Sequence, residues 1–401
     1  MPTKRRATPL ILCLLGTIPL ELQAKEEDRW YRSAEFLGRG SAGLATPRDE
    51  DALFYNPANL PQPPETKPLG NAAVPGATKA EAKDSEENGE EGADKVPATG
   101  EASRWSFRKA VVLSPLVTLS ETVSDYASVG SDDTKMLRAL RDNVGKPVHA
   151  GVDNFTGALF GNLGVGVVSS VHGNFFAFRD PNNSGIETVD LHSNQNTGLV
   201  VGYGQNLAQS PLNVGVSGKV VKRTTTSAQI SLANVSDIQD FKLSKYQNSG
   251  TGMGLDFGLI YALPDFAGAR LAATVQDIGD TSFGSGKADG VAIDPLYQKV
   301  NVGASITPAL PFGKTTLSLD LSDILQRADT NRLKSLHLGA EHVLADTLGL
   351  LAGINQGFST WGVYLNSRYF RFDLGSYGQE IGERLGERSS RRYYLRLVSS
   401  F

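Results

Sequence analysis

A two-residue alternation of apolar and polar side chains runs through most of the chain after residue 155. In one segment, Leu212, Val214, Val216 and Val220 alternate with Asn213, Gly215, Ser217 and Lys219. Comparable segments lie at residues 255–261, 271–276, 300–306, 317–322, 336–341 and 370–374. Successive side chains of a β-strand point to opposite faces. Each segment therefore predicts a strand with one apolar face and one face of small, polar or charged residues.

Two architectures share this pattern, a soluble β-sandwich and a transmembrane β-barrel. Many segments approach the 9–11 residues that a tilted strand needs to cross a bilayer. The polar faces are rich in glycine and serine, which is typical of a packed lumen. Because open sheet edges are not tolerated in lipid, these features together favour an all-β fold, a closed antiparallel transmembrane barrel over residues 105–401 with roughly 12–14 strands, in even number.

Other segments depart from the alternation. Residues 106–119 predict the first strand, whereas the polar stretches 179–196, 224–250 and 280–295 predict loops. Residues 131–145 predict one amphipathic helix, because Ser131 is a good N-cap and Gly145 a natural stop. This helix is expected at the periplasmic interface or inside the lumen. The glycine pairs in the strands, Gly202 with Gly204 and Gly252 with Gly254, are candidates for kinks.

The N-terminus has the three parts of a secretory signal, predicted over residues 1–24. Lys4, Arg5 and Arg6 precede an apolar run at residues 9–20, which is too short to span a bilayer, and residues 22–24 offer a cleavage site. A short membrane anchor is the alternative. Removal of the signal would remove Cys13, the chain's single cysteine, and with it any disulfide or thiolate metal site.

Residues 38–60, GRGSAGLATPRDEDALFYNPANL, combine small residues, an acidic run and an Asn-Pro-Ala turn. Small residues let backbones approach closely. We therefore predict that residues 25–60 form a compact hatch inside the barrel. The literal G-x-G-x-x-G at residues 38–43 lacks the preceding strand and the βαβ context of a dinucleotide site. The acidic run of Asp49, Glu50 and Asp51 is expected to pair with wall Arg or Lys side chains or to be solvated, rather than to bind calcium.

Residues 61–104 change character. They are rich in Pro, Ala, Lys, Glu and Gly, with almost no large apolar residue after Leu69. Such a segment cannot bury enough apolar surface to offset its ordering entropy. We predict a disordered acidic insertion between hatch and barrel.

The order of signal, hatch, alternating strands and terminal aromatic residue resembles the FadL/TodX family of outer-membrane transporters, including PorV-like and TraF-like barrels. The matching hatch residues are Gly40, Gly43, Ala45, Ala52, Asn56, Pro57, Ala58 and Leu60. The resemblance implies 14 strands and a location in the outer membrane of a Gram-negative bacterium. The end of the chain, with Tyr393, Leu395, Leu397 and Phe401 on one face, resembles the signal read by the barrel assembly machinery.

The chain offers little for catalysis or for nucleic-acid binding. Its formal net charge is -4, and its five histidines lack metal-ligand spacing. A G-x-S-x-G elbow is not found in the sequence. The mean hydropathy of -0.21 is too polar for a helical membrane protein but ordinary for a membrane barrel. We expect neither an enzyme nor a cofactor or metal site.

The resemblance implies passive uptake of hydrophobic small molecules, of the long-chain fatty acid or hydrocarbon class, through a lumen gated by the hatch. Gating is expected near Asn56, Pro57 and Ala58, with Gly40 and Gly43 also in the moving segment. These residues could equally serve only to end the hatch. The alternative function is a non-transport accessory or scaffold barrel of a secretion or conjugation system. The acidic insertion would then bind a protein partner, although a solvated spacer is the simpler interpretation.

Overall fold

The computed structural model describes residues 29–61, 106–127, 133–180, 186–207, 210–231, 243–263, 265–285, 291–325, 332–382 and 385–401. The predicted signal and nearly all of the predicted acidic insertion lie outside these ranges and stay predictions. No helix within the described ranges is long and apolar enough to cross a membrane.

The described part of the chain forms sixteen antiparallel strands. They are β1 (Phe107–Leu113), β2 (Leu116–Ser120), β3 (Pro147–Phe160), β4 (Leu163–Asp180), β5 (Ile186–Asn206), β6 (Leu212–Ser231), β7 (Gln247–Leu263), β8 (Ala269–Gln276), β9 (Gly284–Ser285), β10 (Lys299–Ile306), β11 (Lys314–Leu321), β12 (Leu336–Leu344), β13 (Leu348–Asn355), β14 (Phe358–Asn366), β15 (Phe370–Glu380) and β16 (Ser389–Ser400). Four helices accompany them: α1 (Ala34–Gly38), α2 (Ala52–Tyr55), α3 (Ser124–Ala127) and α4 (Asp133–Asp142).

The sheet closes into a barrel of 14 strands. β1 and β2 lie end to end in one position of the wall, because each pairs with both β3 and β16. β9 lies off the main path and pairs only with β7. The predicted all-β transmembrane barrel and its 14 strands are thus confirmed. Full closure leaves no wall edge for lipid to contact.

The outward faces of the strands carry the apolar band. Leu199, Val220 and Met253 are cross-strand neighbours in one outward row of β5, β6 and β7. Two residues further along the strands, the corresponding outward row is Thr197, Lys222 and Thr251. This change from apolar to polar marks the edge of the hydrocarbon layer. At the opposite end, Phe107 meets Phe160 edge to face and stacks on Phe401, with ring centroids 5.9 and 6.2 Å apart, as in the aromatic girdle of membrane barrels.

Strands β4, β5 and β6 continue past this edge and project beyond the membrane. We call residues 172–180, 186–197 and 222–231 the flange. The predicted loop at residues 179–196 is therefore wrong in large part, because β5 begins at Ile186. The predicted loop at 224–250 is wrong at its two ends, because β6 ends at Ser231 and β7 begins at Gln247, and residues 232–242 lie outside the described ranges. Over residues 192–197 of β5 and 222–227 of β6 both faces are polar, so the alternation that identifies a strand disappears from the sequence there.

Helix α4 confirms a helix within residues 131–145 and excludes one of the two expected positions, the lumen. Its Leu140 packs with Ala177 and Val189, which belong to the outward faces of β4 and β5 in the flange. Arg141 of α4 also pairs with Glu187 of β5 at 3.0 Å. The helix therefore lies against the outside of the wall, at the end of the barrel that carries the longer connections.

The wall is interrupted between β1 and β2, at Ser114 and Pro115. Proline has no N–H to contribute to a strand ladder. Two outward side chains of β3 replace the missing ladder bonds: Ser114 N–H donates to Asn154 Oδ1 at 3.0 Å, and Thr156 Oγ1 donates to the Val112 carbonyl at 3.0 Å. Polar residues on this face of β3 are thus explained by the break in the neighbouring strand.

Replacing Asn154 by leucine should destabilise the barrel, because the Ser114 N–H loses its acceptor at a membrane-facing position. The expected loss is about 1–3 kcal/mol relative to Ser169→Leu, an outward substitution on β4 that breaks no hydrogen bond described here. Heat-modifiable gel migration would measure the unfolding midpoints of both variants. Equal midpoints would show that the side chain of Asn154 does not support the broken strand.

Candidate functional site: the hatch and the cavity above it

Residues 29–61 lie inside the barrel and are almost entirely buried. They fold into α1, α2 and two short 3-10 turns, at Asp49–Asp51 and Pro57–Asn59. Helices of four or five residues are not stable by themselves. Their conformation is supported instead by packing against the wall, through an aromatic cluster in which Tyr31 stacks on Phe54 and Phe36 stacks on Tyr55.

Glycines on the inner wall let the hatch approach to backbone contact. Gly204, Gly215 and Gly258 are direct neighbours across β5, β6 and β7. A methyl group on any of them would overlap Asn56, Pro57 or Ala58 of the hatch. Gly339 and Gly353 pair across β12 and β13 and give the same space to Arg39 and Gly40. The wall is therefore contoured to this one hatch conformation.

The two glycine pairs predicted as kinks have another role. Strands β5 and β7 run without interruption through them. A side chain at Gly202 or Gly204 would overlap Leu53 or Leu60 and Pro57 of the hatch. A side chain at Gly252 or Gly254 would overlap residues 281–283, which fold inward from the connection after β8. These glycines make room for neighbouring segments, which explains them without a kink, and the kink itself stays a prediction.

Gly40 and Gly43 lie where the hatch meets β10 to β13. Gly40 has φ +70°, and a Cβ there would overlap the Leu338 carbonyl, so both its conformation and its surroundings require glycine. The N–H groups of Gly43 and Leu44 both donate to Oδ2 of Asp320, at 2.6 and 2.8 Å. The G-x-G-x-x-G run thus serves close packing on the wall. The wall aspartate that receives it could not be identified from the sequence.

The Asn-Pro-Ala turn is held at three points. Asn56 Oδ1 accepts the Ala58 N–H at 3.1 Å, while Asn56 Nδ2 donates to the carbonyls of Leu44 and Leu259, at 3.1 and 3.2 Å. Leu259 belongs to β7. Pro57 opens the following 3-10 turn, and Ala58 is fully buried against Leu44 and Ile260 in one apolar cluster. The turn joins hatch to wall, as gating would require, but its part in gating stays a prediction.

A buried ion network joins α1 and Arg48 of the hatch to strands β12 and β15 of the wall. Glu35 lies 3.3 Å from Arg39, 3.4 Å from Arg48 and 3.3 Å from Arg371 of β15. Arg371 also pairs with Asp373 at 2.8 Å, and Arg48 pairs with Glu341 of β12. Burial opposes ionisation of Glu35, but Arg48, Arg39 and Arg371 outweigh it and hold its pKa well below the usual range. Because these residues are far apart along the chain, sequence reasoning missed the network.

The acidic run pairs with the wall only in part. Lys109 of β1 lies 2.7 Å from Asp49 and 3.3 Å from Glu50, and Arg396 of β16 lies 2.6 Å from Glu50. The predicted pairing with wall Arg or Lys is therefore confirmed for Asp49 and Glu50. Asp51 instead accepts hydrogen bonds within the hatch, from Tyr31 at 2.6 Å and from Ser33 Oγ at 2.5 Å.

Glu50 and Asp51 respond to burial differently. Burial opposes ionisation of Glu50, but Lys109 and Arg396 outweigh it and lower its pKa to about 2. Burial raises the pKa of Asp51 to about 6, since Arg396 and the Ser33 hydroxyl only partly offset desolvation and the neighbouring charges of Glu50 and Glu35. The hatch therefore contains one carboxyl that titrates near neutral pH.

A cavity of about 520 Å³ lies above the hatch. Its floor includes Trp30, Tyr31, Phe54 and Tyr55 of the hatch. Part of its wall comes from the connection between β8 and β10, which folds inward and is tied to β6 by a 2.9 Å ion pair between Asp277 and Lys219. Phe283 and Leu296 of that connection join Trp30 in one apolar cluster. Among the described residues no group of three or more His, Asp or Glu side chains is placed to hold a metal.

The terminal strand presents the predicted aromatic and aliphatic face outward. Tyr393, Leu395 and Leu397 of β16 are each exposed on the outer wall, and Phe401 stacks on Phe107 beside them. β16 closes the barrel against β1 and β2. Its recognition by the assembly machinery stays a prediction.

A closed 14-strand barrel filled by an N-terminal hatch is the fold of FadL/TodX-type barrels. The family model described as "F plasmid transfer operon, TraF, protein" matches residues 53–334, and the chain belongs to that family. No curated protein sequence matches the chain.

The chain is similar to several solved structures at low sequence identity. The toluene transporter TodX of Pseudomonas putida is 12% identical, with 94% of this chain and 99% of that chain covered and a TM-score of 0.50. The CymD monoaromatic hydrocarbon channel is 11% identical over 92% and 97% of the two chains, with a TM-score of 0.49. CdiB from Acinetobacter baumannii is 10% identical, with a TM-score of 0.36. That alignment covers 73% of this chain and 60% of the length of CdiB.

Gly215→Val should displace the hatch, because its side chain would occupy the space of Pro57 and Ala58. Gly218→Val on the same strand is the matched control, since a Cβ there meets no atom within 4 Å. We expect trypsin to cleave folded, detergent-solubilised Gly215→Val protein at Arg39 or Arg48 much faster than the wild type or the control. Mass spectrometry of the fragments identifies the cleaved bonds. Equal protection in all three proteins would contradict the contact.

Asp51 should make the hatch more stable at mildly acidic pH. Its folded-state pKa is raised, so the stabilisation is fully present below about pH 4 and is lost as the pH rises through about 6. The free energy of unfolding at pH values above about 6 is therefore lower than that below about pH 4 by at most about 3 kcal/mol from this group. Glu50 acts in the opposite sense, but only below about pH 4.5.

Thermal unfolding between pH 4.5 and 7.5 tests whether the Asp51 carboxyl causes this pH dependence of stability. Asp51→Asn should flatten the fall in midpoint that the wild type shows over this range, while Asp346→Asn, in an exposed turn, should leave it unchanged. A wild-type midpoint that rises over this range, or a fall of the same size in Asp51→Asn, would exclude Asp51 as the titrating group.

Proposed function

We propose that this protein is an outer-membrane channel of a Gram-negative bacterium for the passive uptake of hydrophobic small molecules, of the long-chain fatty acid or hydrocarbon class. The observation that carries the proposal is the hatch, which fills the lumen below a cavity with an aromatic floor. Free diffusion through the barrel is blocked, yet a ligand can collect above the block. The fold of TodX, described as a toluene transporter, supports the same substrate class.

The two ends of the barrel indicate its orientation. In outer-membrane barrels the short turns face the periplasm and the long connections face outward. The short turns here include residues 161–162 and 345–347, at the end that also carries Phe401. The cavity lies at the other end, with the connection between β8 and β10. A ligand would therefore reach it from outside the cell and would pass inward only when the hatch moves.

We place the gate at the turn formed by Asn56, Pro57 and Ala58. Asn56 supplies two hydrogen bonds that bind the turn to Leu44 and to β7. Loss of these bonds loosens the turn while leaving the ion network around Glu35 in place, and Arg270 and Arg108 still donate to Asn59 and to the Leu60 carbonyl. The remaining connections keep the plug inside the barrel.

Uptake measurements test channel and gate together. Deletion of the gene should lower the uptake of labelled toluene or oleate by intact cells, and Asn56→Ala should restore it at a rate several-fold above wild type. Asn206→Ala, an exposed position at the short-turn end, should restore the wild-type rate. An uptake rate that is unchanged by deletion would overturn the channel proposal. A rate unchanged by Asn56→Ala would overturn only the placement of the gate.

The family description favours one second function, an accessory barrel of a conjugative transfer system. Its support is the match of residues 53–334 to a family named for a transfer operon. The same deletion strain separates the two functions. Loss of transfer with normal uptake, together with a protein cross-linked to the barrel in vivo, would favour the accessory role.

A further inference from the structure

Helices α3 and α4 lie just outside the apolar band of the wall. On the strands beneath them, the last exposed large apolar residues are Leu119 of β2, Val152 of β3 and Val171 of β4. Tyr126 of α3 packs edge-on against Phe175 of β4, with ring centroids 5.1 Å apart. Phe175 follows Val171 by four residues, or roughly 13 Å along the strand. Because barrel strands are tilted, the height gained is only about 10 Å, which places the helices in the headgroup layer.

The apolar side of the two helices is used for attachment to the wall. Leu140 of α4 packs on Ala177 and Val189, and Tyr126 of α3 packs against the same cluster. Arg141 is paired with Glu187 of β5 at 3.0 Å. The helices are therefore fixed on the outer face of the flange, and the remaining polar side chains of α4 are available to the surrounding lipid layer.

A charged crevice of about 480 Å³ lies between α3 and α4. Its exposed cations are Lys135, Arg138 and Lys146. Asn143 positions one of them, because it accepts from Lys146 Nζ at 2.9 Å and donates to the Ala139 carbonyl at 3.0 Å. Its carboxylates are Asp125 and Asp142. Three cations and two carboxylates give the crevice a net charge of +1.

The mixture of charges and the position of the crevice point to one kind of ligand. The outer leaflet of a Gram-negative outer membrane is a glycolipid whose headgroup carries phosphates, and divalent cations bridge these phosphates. Cationic side chains can bind the phosphates directly. The carboxylates, which would repel a free polyanion, can instead face the bridging cations. The glycolipid also surrounds the crevice, whereas a soluble anion would have to reach it from outside.

We propose that the crevice between α3 and α4 binds the phosphorylated headgroup of the outer-leaflet glycolipid, with Lys135, Arg138 and Lys146 on its phosphates. The inference rests on the proposed outer-membrane location and is independent of the transported molecule. Binding at this position ties the flange, through α3 and α4, to the lipid layer around it.

Lipid A, the phosphorylated anchor of that glycolipid, is the probe. Native mass spectrometry follows its binding to the full-length protein in detergent with Mg²⁺, beside dephosphorylated lipid A with the same acyl chains. We expect the phosphorylated form to bind about 10–100-fold more tightly, since each cation near an anionic lipid contributes about fivefold. Equal binding of the two forms would overturn the proposal. Displacement of the lipid by millimolar inorganic phosphate would also overturn it, because the site would then take the free anion.

Paired variants locate the site. Lys135→Gln with Arg138→Gln should weaken lipid A binding about 25-fold, or about fivefold for each cation. Lys314→Gln with Arg368→Gln removes two exposed cations at the short-turn end and is the matched control, with binding expected within about twofold of wild type. All four side chains are exposed, so the unfolding midpoint in lipid-free detergent should stay unchanged in both variants. An equal loss of binding in both, or a loss in neither, would overturn the assignment to the crevice.

Measurements in cells separate this inference from the proposed function. A photo-cross-linking residue in place of Ala139, which also lines the crevice, should label the glycolipid. Labelling of a protein alone would assign the crevice to a protein partner and overturn the lipid site. Loss of the preference for phosphorylated lipid A, with normal gene-dependent uptake of toluene or oleate, would overturn only the lipid site. Intact lipid A binding without gene-dependent uptake would overturn only the channel.

Discussion

The structure depends on hydrogen bonds from wall side chains to the backbone of the hatch. A short irregular segment inside a barrel cannot satisfy its own N–H and C=O groups, and each unsatisfied group would cost about 1–3 kcal/mol. The wall supplies the missing partners from many strands. Asp320 of β11 accepts two hatch N–H groups, Thr360 of β14 donates to the Gly38 carbonyl at 2.9 Å, and Gln276 of β8 donates to the Phe54 carbonyl at 2.6 Å. The hatch is thus held on several sides of the lumen.

Buried charges add specificity to this attachment. Removing charged groups from water is costly, and ion pairs within a protein interior often do little more than repay that cost. Breaking one pair, however, leaves its partner charged and buried. The network around Glu35 and the pairing of Glu50 with Arg396 therefore disfavour any other position of the hatch more than they stabilise the observed one. The Asn-Pro-Ala turn, by contrast, is attached to β7 through an uncharged side chain, that of Asn56.

The flange and the hatch together create the cavity. Strands β4 to β6 are each more than twice as long as β8 or β13, so the wall is taller on one side. The inward connection after β8 compensates on the shorter side, where it packs on Trp30. The result is a site with an aromatic floor and a polar wall, and the two surfaces come from segments that are more than 110 residues apart.

Alternation along the chain determined the barrel, because a strand between lipid and lumen must change polarity at every residue. Small residues and the Asn-Pro turn likewise determined a hatch before the first strand. Only the tertiary structure showed where the strands extend beyond the alternating segments. β5 continues through Ser193 and Gln195, whose side chains point outward into water rather than lipid, so no apolar residue is required there. It also decided which wall glycines, carboxylates and arginines meet the hatch, since that depends on strand register around a closed sheet. Gly204 and Gly215 illustrate the difference: each looks like an ordinary strand glycine, and only pairing across β5 and β6 makes them one surface for Pro57.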